Sequence, residues 1–161
     1  MTLDDDVARL SRSRPFNLLP REAVQLLAFS SEKRRLKRGD KLFAAGAAAD
    51  CAYFVRSGAI LLREVGSEGK SPRRVGAGGL IGESALYVST IRRVEAQAEE
   101  DTVVLGLSRD TFRRVLSEFP SGAAKIRASL AARTRKLVDK LEAARVKSLD
   151  AAPARGARMS P

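Results

Sequence analysis

The sequence predicts a mainly β fold with helices flanking it, and three observations carry that reading. Two alternating apolar runs flank Ser57-Gly58. Short strand candidates then recur at 73–75, 80–81, 94–98 and 103–107, spaced as in a sandwich or barrel. From Ser108 onward the apolar period lengthens from two to about 3.6 residues, the helical repeat. With 161 residues, 44% hydrophobic and 30% charged, the chain suits one domain with a real core and a helical extension. Aromatics make up 5% and Trp is absent, so the core has to be aliphatic.

Taken in order, residues 1–13 form an N-terminal segment. "MTLDDDVARL" is acidic and lacks the apolar stretch of a signal peptide, and no run reaches the ~20 apolar residues of a membrane span, so a cytoplasmic protein is expected. A domain is expected over 14–122. Residues 15–29 read as a helix opened by Pro20, with Val24 and Leu27 facing a core. The basic cluster 32–41, "EKRRLKRGDK", is read as a solvated helix face, with Gly39-Asp40 turning into a short strand.

"AYFVRSGAILLREV" predicts a hairpin, because Tyr53, Val55, Ile60 and Leu62 flank a glycine that frees the turn. Ser108 can cap a helix carrying Phe112, Val115, Leu116 and Phe119 at i, i+3, i+4 and i+7. Pro120-Ser121-Gly122 is expected to end it. An amphipathic helix then spans 123–149, with Ile126, Leu130, Leu137, Leu141 and Leu149 on one face. The tail 150–161 is low in hydrophobicity and is expected to be disordered.

Histidine is absent, which constrains chemistry more than any other count. Ser-His-Asp and Cys-His nucleophiles, histidine acid–base catalysis and the usual zinc sites all go with it. The lone Cys51 forms no internal disulfide and reads as a small apolar residue. No paired-acid constellation stands out, so neither an enzyme nor a metal site is expected. Net charge is +11, and from Ser121 onward ten Lys/Arg face three acids, placing +7 there. Such charge suggests an anionic partner or a solvated face.

Two glycine motifs fail on inspection. "GSEGKS" ends like a phosphate loop, but Glu64 stands where its first glycine is required and Pro72 follows where a helix must start. "VGAGGLIG" resembles a dinucleotide fingerprint, yet its third glycine comes one residue late and no helix follows.

The stretch "GLIGESALYVSTIRR", residues 79–93, is different. Gly82-Glu83-Ser84-Ala85-Leu86, then Arg92, then Val94, Ala96 and Ala98 at alternate positions resembles the phosphate-binding cassette of cyclic nucleotide-binding domains. The "KRGDKLF" strand, the "YFVRSGAILL" pair and "VLGLSRDTFRRVLSEFP" resemble the same family, so the likeness covers about 14–145. Departures are Ile91 where proline is usual, Ser84 where an apolar residue is usual, Arg93 where a small residue is usual and Glu95 where a small polar one is usual.

The resemblance implies a jelly-roll (β-roll) with flanking helices and a cyclic mononucleotide ligand, cyclic AMP or cyclic GMP, with no further cofactor. It also implies roles. Amides of Ser84 and Ala85 donate to the phosphate, an arginine supplies a charge-assisted fork, Glu83 accepts from the ribose 2′-hydroxyl, and Gly82 permits the turn. Arg92 and Arg93 both fit the spacing from the glycine. Arg92 is preferred because it precedes Ala98 by six residues, and neither arginine is assigned to the core. Thr134 is the hydroxyl offered for the base.

Three functions stay open on the sequence. One is a stand-alone cyclic nucleotide receptor acting through protein contacts, with the C-terminal helix forming a homodimer. Another is a degenerate adaptor that no longer binds ligand. The third, less favoured, is a nucleic-acid binder using the basic helix.

Overall fold

Ten strands pair only in antiparallel fashion among the residues described by the computed structural model, which are 1–66 and 68–151. They are β1 (Glu32–Leu36), β2 (Lys41–Phe43), β3 (Ala48–Ala49), β4 (Cys51–Ser57) and β5 (Ala59–Glu64). The second half contains β6 (Arg73–Gly76), β7 (Leu80–Ile81), β8 (Thr90–Ile91), β9 (Val94–Ala98) and β10 (Thr102–Ser108). One sheet has the order β1-β10-β4-β7, the other β2-β9-β5-β6, and β3 pairs with β8 in a small ribbon. The helices are α1 (Leu3–Leu10), α2 (Arg21–Phe29), α3 (Arg109–Glu118) and α4 (Pro120–Ala151). Mainly antiparallel sheets with flanking helices is the class expected from the sequence.

The alternation of β9 explains its placement. Ala96 and Ala98 are buried in a core with Leu36, Leu42, Val55, Ile60, Leu62, Ile81 and Val104, and Val94 packs against it. Glu95 points the other way and pairs with Lys41 at 3.6 Å, an exposed contact of little energetic weight. β4 is buried on both faces, since Phe54 is as inaccessible as Val55. α2 and α3 pack on each other and on β10, and Phe16 meets Phe112 edge-on at 6.3 Å.

Several expectations need correction. The apolar runs around Ser57-Gly58 are not a hairpin, because β4 and β5 lie in different sheets. Gly58 has φ +84°, and a Cβ there would overlap Thr102 Oγ1. Thr102 Oγ1 also accepts from the Ala59 amide at 3.1 Å, so the start of β10 packs into the corner where the chain changes sheet. The basic run 32–41 forms β1, a turn and the first residue of β2, not a helix. Leu36 is buried while Lys33 and Arg35 face solvent.

Residues 1–13 are largely α1, whose capping box links Thr2 and Asp5. Asp6 and Arg56, with side chains only 10% and 8% exposed, form an ion pair at 2.8 Å that ties α1 to β4. The helix expected over 15–29 is a short 3-10 turn (Phe16–Leu18) followed by α2, with Pro20 as the cap. Pro120 opens α4 instead of closing α3, as its fixed φ and missing N–H suit a first turn.

The described chain divides into two units, Met1–Ala123 and the segment from Ala124. The second unit is the remainder of α4, on which Leu137, Val138, Leu141, Val146 and Leu149 are exposed. The tail beyond Ala151, expected to be disordered, lies outside the described residues. No helix among the described residues is long and apolar enough to cross a membrane.

Candidate functional site

Gly82 adopts φ +73°, left-handed backbone that an L side chain rarely takes, and it opens a 3-10 turn over Glu83–Leu86. Inside the turn the Ala85 amide donates to the Gly82 carbonyl at 3.1 Å, and the Tyr87 amide to Ser84 at 3.1 Å. The amides of Glu83 and Ser84 precede the first of these bonds.

The turn is held from outside by α3. Arg109 Nε donates to the Ala85 carbonyl at 2.9 Å, Arg109 Nη2 to Ala49 at 2.8 Å, and Arg113 Nη2 to Tyr87 at 3.2 Å. Sequence reasoning missed both arginines. One signal was available, since a cation in the first turn opposes the helix dipole and needs another reason to be there.

Arg92 sits between β8 and β9, with its backbone pinned on both sides. Its amide donates to Ala47 at 2.7 Å and its carbonyl accepts from Gly46 at 2.7 Å. The side chain turns inward and the residue is only 6% exposed, which corrects the expectation that neither arginine belongs to the interior. Nη2 donates to the Cys51 carbonyl at 2.6 Å, and the guanidinium lies 4.3 Å from the Phe43 ring centre and 5.5 Å from that of Tyr53. Stacking on two rings and bonding to a carbonyl offset the cost of removing the cation from water.

These groups line a cavity of about 620 Å³. Phe43, Leu62 and Ile81 form apolar wall, while Gly82, Ser84 and Arg92 form the polar side. Arg73 and Arg93 face it with Glu64 as the counter-charge, leaving the lining net positive. An apolar wall with a few convergent polar groups suits a small organic anion. Burial raises the Cys51 thiol and the Tyr53 phenol above their ordinary values, so both stay protonated at neutral pH.

The structure thus brings Gly82, Ser84, Arg92 and Arg93 to one cavity. Glu83 and Ala85 do not line it. Glu83 is half-buried and Oε1 accepts from the Tyr87 hydroxyl at 2.8 Å, while Ala85 is fully buried under the turn. Thr134 lies on α4 in the second unit, and its hydroxyl donates to the Leu130 carbonyl at 3.0 Å. Among the described residues no three His, Cys, Asp or Glu side chains gather as a metal site.

Fold and cavity together define a two-sheet β-roll with an arginine-lined cavity. A sequence profile of the cyclic nucleotide-binding domain matches residues 33–119, over half of the chain, and the chain belongs to that family. A cyclic nucleotide-binding-like protein from Brucella abortus is 41% identical, with a TM-score of 0.65 over 71% of this chain and 99% of that one. The N-terminal domain of a transcriptional regulator from Streptomyces coelicolor is 29% identical, with a TM-score of 0.76 over 83% of this chain and 94% of that one. The cyclic AMP receptor protein of Thermus thermophilus is 30% identical over 74% of this chain and 56% of its own length. The chain spans between 21% and 56% of the length of four curated relatives, which are named as one cyclic AMP receptor protein, two kinase regulatory subunits and one potassium channel protein.

Proposed function

We propose that this chain is a receptor for a cyclic mononucleotide, cyclic AMP or cyclic GMP, acting in the cytoplasm through protein contacts and not by catalysis. The observation that carries the proposal is the meeting of Gly82 and Arg92 at the wall of one cavity. A Cβ on Gly82 would overlap Arg92 Nη1, so the glycine leaves room for the guanidinium beside the turn. Arg92 then supplies the fork for the phosphate, and the Ser84 amide adds a neutral donor. Glu83, whose Oε1 accepts from the Tyr87 hydroxyl, is assigned the ribose hydroxyl, and reaching it requires the carboxylate to move from its present position outside the cavity lining. Ala85 packs the turn and keeps its amide within it. Arg93 and Arg73 add positive potential at the mouth.

The relatives support this reading through their names, which include a cyclic AMP receptor protein and cyclic AMP-dependent kinase regulatory subunits. Titration of the purified chain with cyclic AMP and cyclic GMP, read as heat and as a melting shift, tests it. A receptor gains about 2.7 kcal/mol when ligand stands at 100 times its dissociation constant.

One observation favours a second reading, the ligand-free adaptor. Three polar groups of the cassette already have partners within the protein: Arg92 at Cys51, Glu83 at Tyr87 and the Ala85 amide at Gly82. Absence of a melting shift with either nucleotide selects that reading. For the output, two arrangements compete: a homodimer through α4, and a different protein docked on the same helix.

A further inference from the structure

We infer that the exposed face of α4 docks an acidic amphipathic helix of another protein, in preference to a second copy of this chain. Between Ala124 and Leu149 the helix carries eight Lys/Arg and two acids, a net of +6. At about 100° per residue, Leu137, Val138, Leu141, Ala144 and Leu149 fall within an arc of roughly 140°. The four large ones are 45% to 66% exposed, so the arc is uncovered. Lys136, Lys140 and Lys147 lie together along one edge of it, and Arg145 lies within it. Among the described residues no ion pair engages any of these four cations.

Charge decides the occupant. With Leu137, Leu141 and Ala144 as the seam, Lys140 and Lys147 flank one side, and Val138 and Arg145 the other. In a parallel pair of copies Lys140 meets the second copy's Arg145, and in an antiparallel pair the lysine edges meet each other. Either alignment sets like charges across the seam with no acid in a flanking position. An acidic helix relieves both defects: it covers the apolar arc and neutralises the edge. Nucleic acid would meet the lysines but leave the leucines in water. A membrane surface calls for a wider apolar face, with aromatic residues, than this arc provides.

The full chain, with labelled synthetic peptides as probes, provides the test. One peptide has leucine at the core heptad positions and glutamate on both flanks, and the other replaces each glutamate with lysine. The acidic peptide is expected to bind, more weakly as salt rises, while the lysine peptide does not. Lys140→Glu/Lys147→Glu should weaken the acidic peptide about tenfold or more and admit the lysine peptide. Leu137→Asp should lose both. Circular dichroism checks that each variant keeps its helix and melting temperature. Equal binding or no binding of the two peptides overturns the inference. So does a dimer of the wild-type chain in sedimentation, or binding of phosphatidylserine vesicles or duplex DNA without binding of the acidic peptide.

Discussion

Gly82 and Arg92, ten residues apart in sequence, meet so closely that a methyl group on the glycine would occupy the space of Arg92 Nη1. The glycine also holds φ +73°. Gly82→Ala therefore combines left-handed strain, of order 1–3 kcal/mol, with displacement of the guanidinium. Urea unfolding of the free protein should show a loss of about that size, and nucleotide should no longer raise the melting temperature. Wild-type stability in Gly82→Ala would mean that the turn and the arginine are not coupled.

Arg92→Ala should abolish measurable nucleotide binding, with a cost of roughly 2–5 kcal/mol for leaving a buried phosphate without its partner. Because Arg92 is buried against Phe43, Tyr53 and Cys51, this variant should also melt lower without ligand. Arg93 is exposed, so Arg93→Ala should keep the wild-type melting temperature and lose affinity only modestly. A ligand-induced shift lost in Arg93→Ala but kept in Arg92→Ala would exchange their roles.

Glu83→Ala should weaken a cyclic ribonucleotide about tenfold or more, since a hydrogen bond to a charged group contributes on the order of 1.5–3 kcal/mol. Wild type should discriminate against the 2′-deoxy analogue, and the variant much less. Paired titrations of both nucleotides into both proteins read this directly. Equal wild-type affinity for the two sugars removes Glu83 from sugar recognition.

Burial raises the Cys51 thiol in the folded protein, so between pH 9.0, its ordinary value, and the raised one the folded state holds the proton more firmly than the unfolded state. The stabilisation is complete below pH 9.0 and is lost as pH rises through the folded value. Wild type should therefore lose melting temperature faster than Cys51→Ala as pH is raised above 9. Parallel slopes for the two proteins would show that Cys51 does not contribute.

How far the sequence disclosed this architecture depended on whether each signal was local. β9 and α3 follow from alternation and from the 3.6 period, because their own residues specify the buried face. Gly82, Ser84, Arg92 and Arg93 were legible only through the resemblance of residues 79–93 to a known phosphate-binding cassette, and all four line the cavity. Pairing of strands was not local. Nothing in "YFVRSGAILL" reveals that Thr102, more than forty residues on, packs into the Gly58 corner and sends β5 to the other sheet. β1 was hidden because four of its five residues are charged and only Leu36 faces the core. The interior position of Arg92 escaped for a related reason, as its ring partners Phe43 and Tyr53 come from two other strands.

Isothermal calorimetry of the purified chain with cyclic AMP and cyclic GMP, run beside Arg92→Ala, tests the receptor account most directly. The account predicts saturable binding of at least one of the two nucleotides, one per chain, and none in Arg92→Ala even though circular dichroism shows that variant folded. A folded wild-type chain that takes up neither nucleotide, or a folded Arg92→Ala chain that binds as tightly as wild type, would contradict it.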